Sequence, residues 1–145
     1  MMIRRLLRFT QRRDAALVLQ SFLLLLVVDL GVRLVGVLPI LRFIRRRFRK
    51  RESASVPTSP ELNRLQQAVS CAARHHLYPM RCLPQSLALA WLLARRGLHT
   101  DLRFGTRRGD GKLEAHAWLE HNAVNLFEDS TFEPLVPAAA TRMVA

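Results

Sequence analysis

Residues Tyr78 to Gly97 read YPMRCLPQSLALAWLLARRG, and the rest of the chain is read outward from them. Pro84 suits the first turn of a helix, and Gly97 after Arg95-Arg96 suits a helix exit. The stretch predicts a helix from about Leu83 to Arg96 with Cys82 at its N-terminal lip. Leu83, Leu87 to Ala90 and Trp91 to Ala94 cover most of its circumference. A helix apolar nearly all round is buried, so this one is expected to be the domain's central rod. A thiol at its start lies among unpaired backbone N–H groups and the positive end of the helix dipole, which favour the thiolate. By position alone, Cys82 is equally readable as a small buried hydrophobe.

After Gly97 the apolar period changes from 3.6 to 2. Leu98, Thr100, Leu102 and Phe104 alternate with His99, Asp101, Arg103 and Gly105, the pattern of a strand. The glycines of Arg107-Arg108-Gly109-Asp110-Gly111 predict a hairpin turn. On the returning strand, EAHAWLE at 114–120 puts His116, Trp118 and Glu120 on one face and Ala115, Ala117 and Leu119 on the other. Asn122-Ala123 reads as a tight turn, Val124 to Phe127 as a short third strand, and the tail after Pro137 as frayed. An acidic pair, Glu128-Asp129, follows the third strand.

CLPQSLALAWLLARRG, a strand, AHAWLE and the acidic pair together resemble the lasso-peptide biosynthesis B proteins, over about Leu77 to Leu135. The resemblance implies an α+β, transglutaminase-like (papain-related) fold, with the cysteine-bearing helix packed on a small antiparallel sheet. It also implies a cysteine peptidase with a Cys-His-Asp triad on Cys82, His116 and Asp129. Strand alternation prefers Asp129 only weakly, so Glu128 stays open as the orienting acid, and NLFEDS departs somewhat from the family's pattern. Such a triad needs a thiolate, a base near it and a group that fixes the base's tautomer. The backbone N–H of Cys82 is one oxyanion donor in principle. Papain-like enzymes use a glutamine shortly before the cysteine; Leu77 to Arg81 contains none, so the second donor is not identified.

Other polar residues carry less. His75, His76, Cys71 and Cys82 match no usual zinc spacing, so neither metal nor cofactor is expected. Ser86 lacks a nucleophile elbow and reads as packing or capping. Trp118 either shields His116 from water or simply packs in the sheet. Glu120 and His121 read as surface residues, and Cys71 as a small buried residue in a helix.

The chain's formal net charge of +12 is uneven: residues 1–52 hold 13 Lys/Arg against 3 Asp/Glu, while residues 53–145 are near neutral at +2. Three parts follow: a basic, apolar helical segment (1–52), a linker (53–60, within ESASVPTSP) and the transglutaminase-like domain (61–145). Within the first, Ala16 to Leu41 is long and apolar, but Asp29 and Arg33 interrupt it four residues apart, where they can pair. A buried or amphipathic helix is favoured over attachment to an anionic membrane surface, and attachment over a true span. Pro39 is expected to break this helix. Thr58 with Glu61 has capping-box spacing, Ser59-Pro60 is an equally good start, and a helix follows to about His76.

By resemblance the chain is the stand-alone leader peptidase of lasso-peptide maturation, acting on a ribosomally made precursor peptide. The implied partners are a separate leader-recognition protein and an ATP-dependent macrolactam synthetase; no nucleic-acid partner is expected. Two free-standing cysteines suggest a reducing, cytoplasmic location, with the inner membrane face as an alternative. Two other functions stay open. One is a transamidase or acyltransferase using the same thiol, and the other a non-enzymatic, basic, membrane-associated interaction protein.

Overall fold

The structure, a computed structural model, describes residues 12–51, 57–122, 124–126 and 133–134. Its elements run α1 (Arg12–Val35), α2 (Val37–Phe48) with a 3-10 turn at Arg49–Arg51, α3 (Ser59–Arg74) and α4 (Cys82–Arg95). The strands β1 (Asp101–Gly109), β2 (Lys112–His121), β3 (Val124–Asn125) and β4 (Glu133–Pro134) follow. The fold is α+β, as the sequence predicts.

The helix α4 is the rod around which the others assemble. It touches α1, α2 and α3 and also β1 and β2. Leu87, Ala88, Leu92, Leu93 and Ala94 are fully buried in one core with Leu25 of α1, Ile44 and Phe48 of α2, and Leu65 and Val69 of α3. The helix ends in a Schellman motif: Leu98 N–H bonds Leu93 O, Gly97 N–H bonds Ala94 O, and Gly97 takes φ 87°. That cap absorbs Leu98, so the strand predicted from there begins only at Asp101.

Two helix boundaries differ from expectation. The break after α1 falls at Gly36, whose φ of 86° suits a residue without Cβ, and not at Pro39. Pro39 lies in the first turn of α2, where its missing N–H costs nothing. At α3, Thr58 is the N-cap by position but makes no side-chain cap bond, so Ser59-Pro60 is the working start. Glu61, the other half of the expected capping box, pairs with Arg96 instead.

The sheet is antiparallel in order β3-β2-β1-β4. Its hairpin turn is tighter than expected: Gly109 still pairs with Lys112, leaving only Asp110-Gly111 at φ 43° and 76°. Two positive φ values in a two-residue loop give a turn matched to the strands' twist. The strand β4, pairing Glu133 and Pro134 with β1, was not expected from the sequence. Of the predicted third strand, Val124–Asn125 is present; Phe127 and the tail after Pro137 lie outside the described residues. Burial is concentrated at the base of the hairpin. Leu102, Ala117 and Leu119 join the core, whereas Leu113 near the tip is 70% exposed.

Candidate active site

Cys82 is the first residue of α4 and is half-buried, with Arg81 as the N-cap residue. No side chain caps this helix start, and its first turn holds no acid. The first-turn N–H groups therefore face outward around the thiol, except at Pro84, which has none. The lead-in loop is tied down on both flanks of the cysteine. Gln85 Nε2 donates to Met80 O at 3.0 Å, bridging over Cys82, and Met80 itself is buried. Tyr78 OH donates to Asp29 Oδ2 of α1 at 2.7 Å, and Arg33 Nε holds the same oxygen at 2.8 Å.

The predicted Asp29/Arg33 pair thus gains a third member that the sequence did not suggest. The Tyr78 hydrogen bond, more than Arg33, holds the Asp29 carboxyl below its ordinary value of 3.8, against an opposing desolvation. The same bond raises the Tyr78 hydroxyl above 10.0.

His116 lies on β2, half-buried, opposite Gly105 of β1. Its ring lies nearly parallel to that of Trp118, 17° apart with centroids at 6.4 Å, so the two share a sheet face as the alternation predicted. The outer face of the sheet is closed by a polar knot. Glu120 accepts from Arg103 Nε at 2.9 Å and from Trp118 Nε1 at 3.0 Å, and Arg103 is only 5% exposed. Glu120 is therefore a half-buried bridge and not the surface residue expected. His121 is likewise engaged, its Nδ1 2.8 Å from His99 O. Cys71, expected buried, is half-buried on α3, and its carbonyl lies 2.9 Å from His75 Nδ1.

One bond joins the thiol's helix to the histidine's strand. Ser86 Oγ donates to Ala117 O at 3.0 Å, and both residues are buried. Its geometry follows from strand alternation. Leu126 N–H bonds Leu119 O, so Leu119 O points to the β3 side, and Ala117 O, two residues away, points the same way. Among the described residues β3 pairs with Glu120 and His121, and at Ala117 the β3 side of β2 meets Ser86. Cys82 lies four residues before Ser86, on the same helix face. The bond thus fixes the thiol's helix turn against the edge of the strand that carries His116. Read in sequence as packing or capping, Ser86 is the link between the two elements. Its spacing from Cys82 was the available signal.

The structure brings the two elements together without a hydrogen bond between Cys82 Sγ and His116 among the described residues. Asp129 and Glu128, the two candidate orienting acids, lie outside those residues.

A buried helix opening on a thiol, bound at its first turns to an antiparallel sheet that carries a histidine, defines an α+β domain of the papain-related kind. A family model described as the transglutaminase-like superfamily matches residues 24–136, and the chain belongs to that superfamily. The match begins inside α1, so it includes the basic helix α2. Among curated proteins and among solved structures, none matches the chain. Members of the superfamily are typically enzymes, and membership supports a papain-like cysteine peptidase or transglutaminase-type function.

Proposed function

We propose that the protein is a cysteine peptidase of the lasso-peptide B type, removing the leader from a ribosomally made precursor peptide. The observation that carries the reading is Cys82 at the head of a buried helix, tied through Ser86 to the strand of His116. In this proposal Cys82 Sγ attacks the amide carbonyl at the leader–core junction, and His116 takes the thiol proton. The tetrahedral oxyanion is met by Cys82 N–H. The C–N bond breaks as His116 delivers the proton to the leaving amine, and a thioester remains on Cys82. Water, deprotonated by His116, hydrolyses the thioester and returns the thiol. Asp129 accepts the other imidazole N–H and fixes its tautomer.

The resemblance of CLPQSLAL and HAWLE supplies the substrate class and the partners: a separate leader-recognition protein, and a macrolactam synthetase that consumes the freed core peptide. The work would be done in the reducing cytoplasm, where both cysteines stay thiols.

The test is mass spectrometry of the cognate precursor after incubation with the full chain and its recognition partner. Wild type is expected to release leader and core with one water added. Cys82→Ala and His116→Ala should each lower turnover by roughly four orders of magnitude without loss of fold. Asp129→Asn should cost more activity than Glu128→Gln; the reverse order moves the orienting role to Glu128. A product carrying an amine in place of water would make the protein a transamidase. Near-normal turnover by Cys82→Ala, with contamination excluded, sinks the thiol mechanism.

A further inference from the structure

We propose that the exposed face of α1, flanked by the basic face of α2, docks flat onto an anionic lipid bilayer. Leu19, Leu23, Leu26, Val27, Leu30 and Leu34 recur at helical spacing and form one stripe along α1. All six are exposed, from 38% at Leu26 to 73% at Leu34, in a helix of mean hydropathy 2.3. Scattered surface leucines are ordinary, but a continuous apolar stripe running the length of a helix marks an interaction surface.

The charge on the adjoining helix selects the partner. The helix α2 exposes Arg42, Arg46 and Arg47, and the following turn adds Arg49 and Lys50. None of these five forms an ion pair among the described residues. Arg33 is exposed at the stripe's C-terminal end, and Arg4, Arg5 and Arg8 precede α1 in sequence. Residues 1–52 carry +10 in all, against +2 for the remainder. Leucines that can enter an acyl layer, beside cations that can meet headgroups, are the two halves of an interfacial helix. A nucleic acid would use the cations but would leave the leucine stripe in water.

By length and composition α1 could cross a membrane, but its other face is committed. Leu17, Ser21, Leu25 and Val28 are buried against the domain, Asp14 pairs with Arg64 of α3, and Asp29 is held by Tyr78. A spanning orientation would strip away all of these contacts and carry Asp29 and Arg33 into hydrocarbon. The helix therefore lies in the interface plane, with one face on the core and the other on lipid.

The test is co-sedimentation of the full chain with vesicles of phosphatidylcholine alone, or of phosphatidylcholine with phosphatidylglycerol. Binding is expected to the anionic vesicles and to fall steeply with salt. A basic residue near the surface contributes roughly fivefold in partitioning, so Arg42→Gln with Arg46→Gln should weaken binding roughly twenty-five-fold. Leu23→Glu with Leu30→Glu should abolish binding while helical circular dichroism and Cys82 alkylation are retained. Equal binding to neutral vesicles, or binding to neither, overturns the proposal. So does a concentration-dependent dimer in lipid-free solution that the leucine variant dissociates, since a second copy would then cover the stripe. Release from native membranes by detergent alone, and not by salt or alkaline carbonate, would show a span and overturn it as well.

Discussion

On the thiol's side, the helix α4 is enclosed by apolar side chains from three other helices, and the lead-in loop is fixed by two side-chain hydrogen bonds. Around His116, by contrast, the strand adds charge and hydrogen bonds to the apolar packing of Ala117 and Leu119: Arg103 to Glu120, Trp118 to Glu120, and Ser86 to the backbone of Ala117. The hairpin tip beyond His116 has little packing, with Leu113 largely in water. The thiol is thus carried by a helix set in apolar packing, and the histidine by a strand that joins the core through Ala117 and Leu119 and adds directional polar bonds on its other face. Apolar packing is insensitive to salt and pH, whereas bonds to ionised groups are sensitive to both.

The sharpest way to break this contrast is to damage each side once. Leu93→Ala, at a site with no exposure, should cost roughly 2–5 kcal/mol and be indifferent to ionic strength. Glu120→Gln keeps an acceptor for Trp118 but removes the charge facing the buried Arg103, and should cost about 1–3 kcal/mol. Chemical denaturation of both variants at low and high salt checks the pair. If Leu93→Ala proved no more costly than a surface substitution, α4 would not be the core rod described.

The same contrast explains what the sequence could and could not reveal. The helix α4 was legible because its apolar residues and Gly97 exit are local signals, and so was the face shared by His116 and Trp118, because strand alternation is local too. Local pattern also misled: Pro39 reads as a breaker, yet Gly36 ends the helix first, and Pro39 then falls in a first turn that tolerates it. Glu120 read as a surface residue because nothing in a single strand says that its partner strand buries the opposite charge. The Ser86–Ala117 and Tyr78–Asp29 bonds join residues 31 and 49 apart in sequence, beyond the reach of any window. The pairing of β4 with β1 failed to show for a similar reason, since two residues carry no periodicity.

Ser86→Ala separates positioning from stability. One neutral hydrogen bond contributes about 1 kcal/mol, so the fold should survive. If Cys82 and His116 act together as proposed, the loss in activity should exceed that and appear in kcat more than in KM, because the bond would then set their approach and not the hold on substrate. Ser86→Thr, which keeps the hydroxyl, should recover part of it if the extra methyl is accommodated. Equal changes in kcat and thermal stability for all variants would reduce Ser86 to ordinary packing.

The smallest expected effect, and the only one on the thiol side that depends on pH, belongs to Tyr78→Phe. Its hydroxyl holds the Asp29 carboxyl below the ordinary carboxylate value of 3.8, and Asp29 in turn raises the hydroxyl above 10.0. A carboxyl lowered by folding stabilises the native state above its unfolded pKa, and that contribution is lost as pH falls through the folded value. A tyrosine raised by folding behaves in the opposite sense: its contribution is complete below its unfolded pKa and is lost as pH rises through the folded value. The stability gap between wild type and Tyr78→Phe should therefore be flat across neutral pH. It should close in acid below the carboxylate range, and again in alkali above the ordinary tyrosine range. Asp29→Asn should remove the acid limb of that profile. Since this bond joins α1 to the loop that leads into Cys82, a gap independent of pH at both ends would mean that α1 is held to the loop by packing alone, as the rest of the thiol side is.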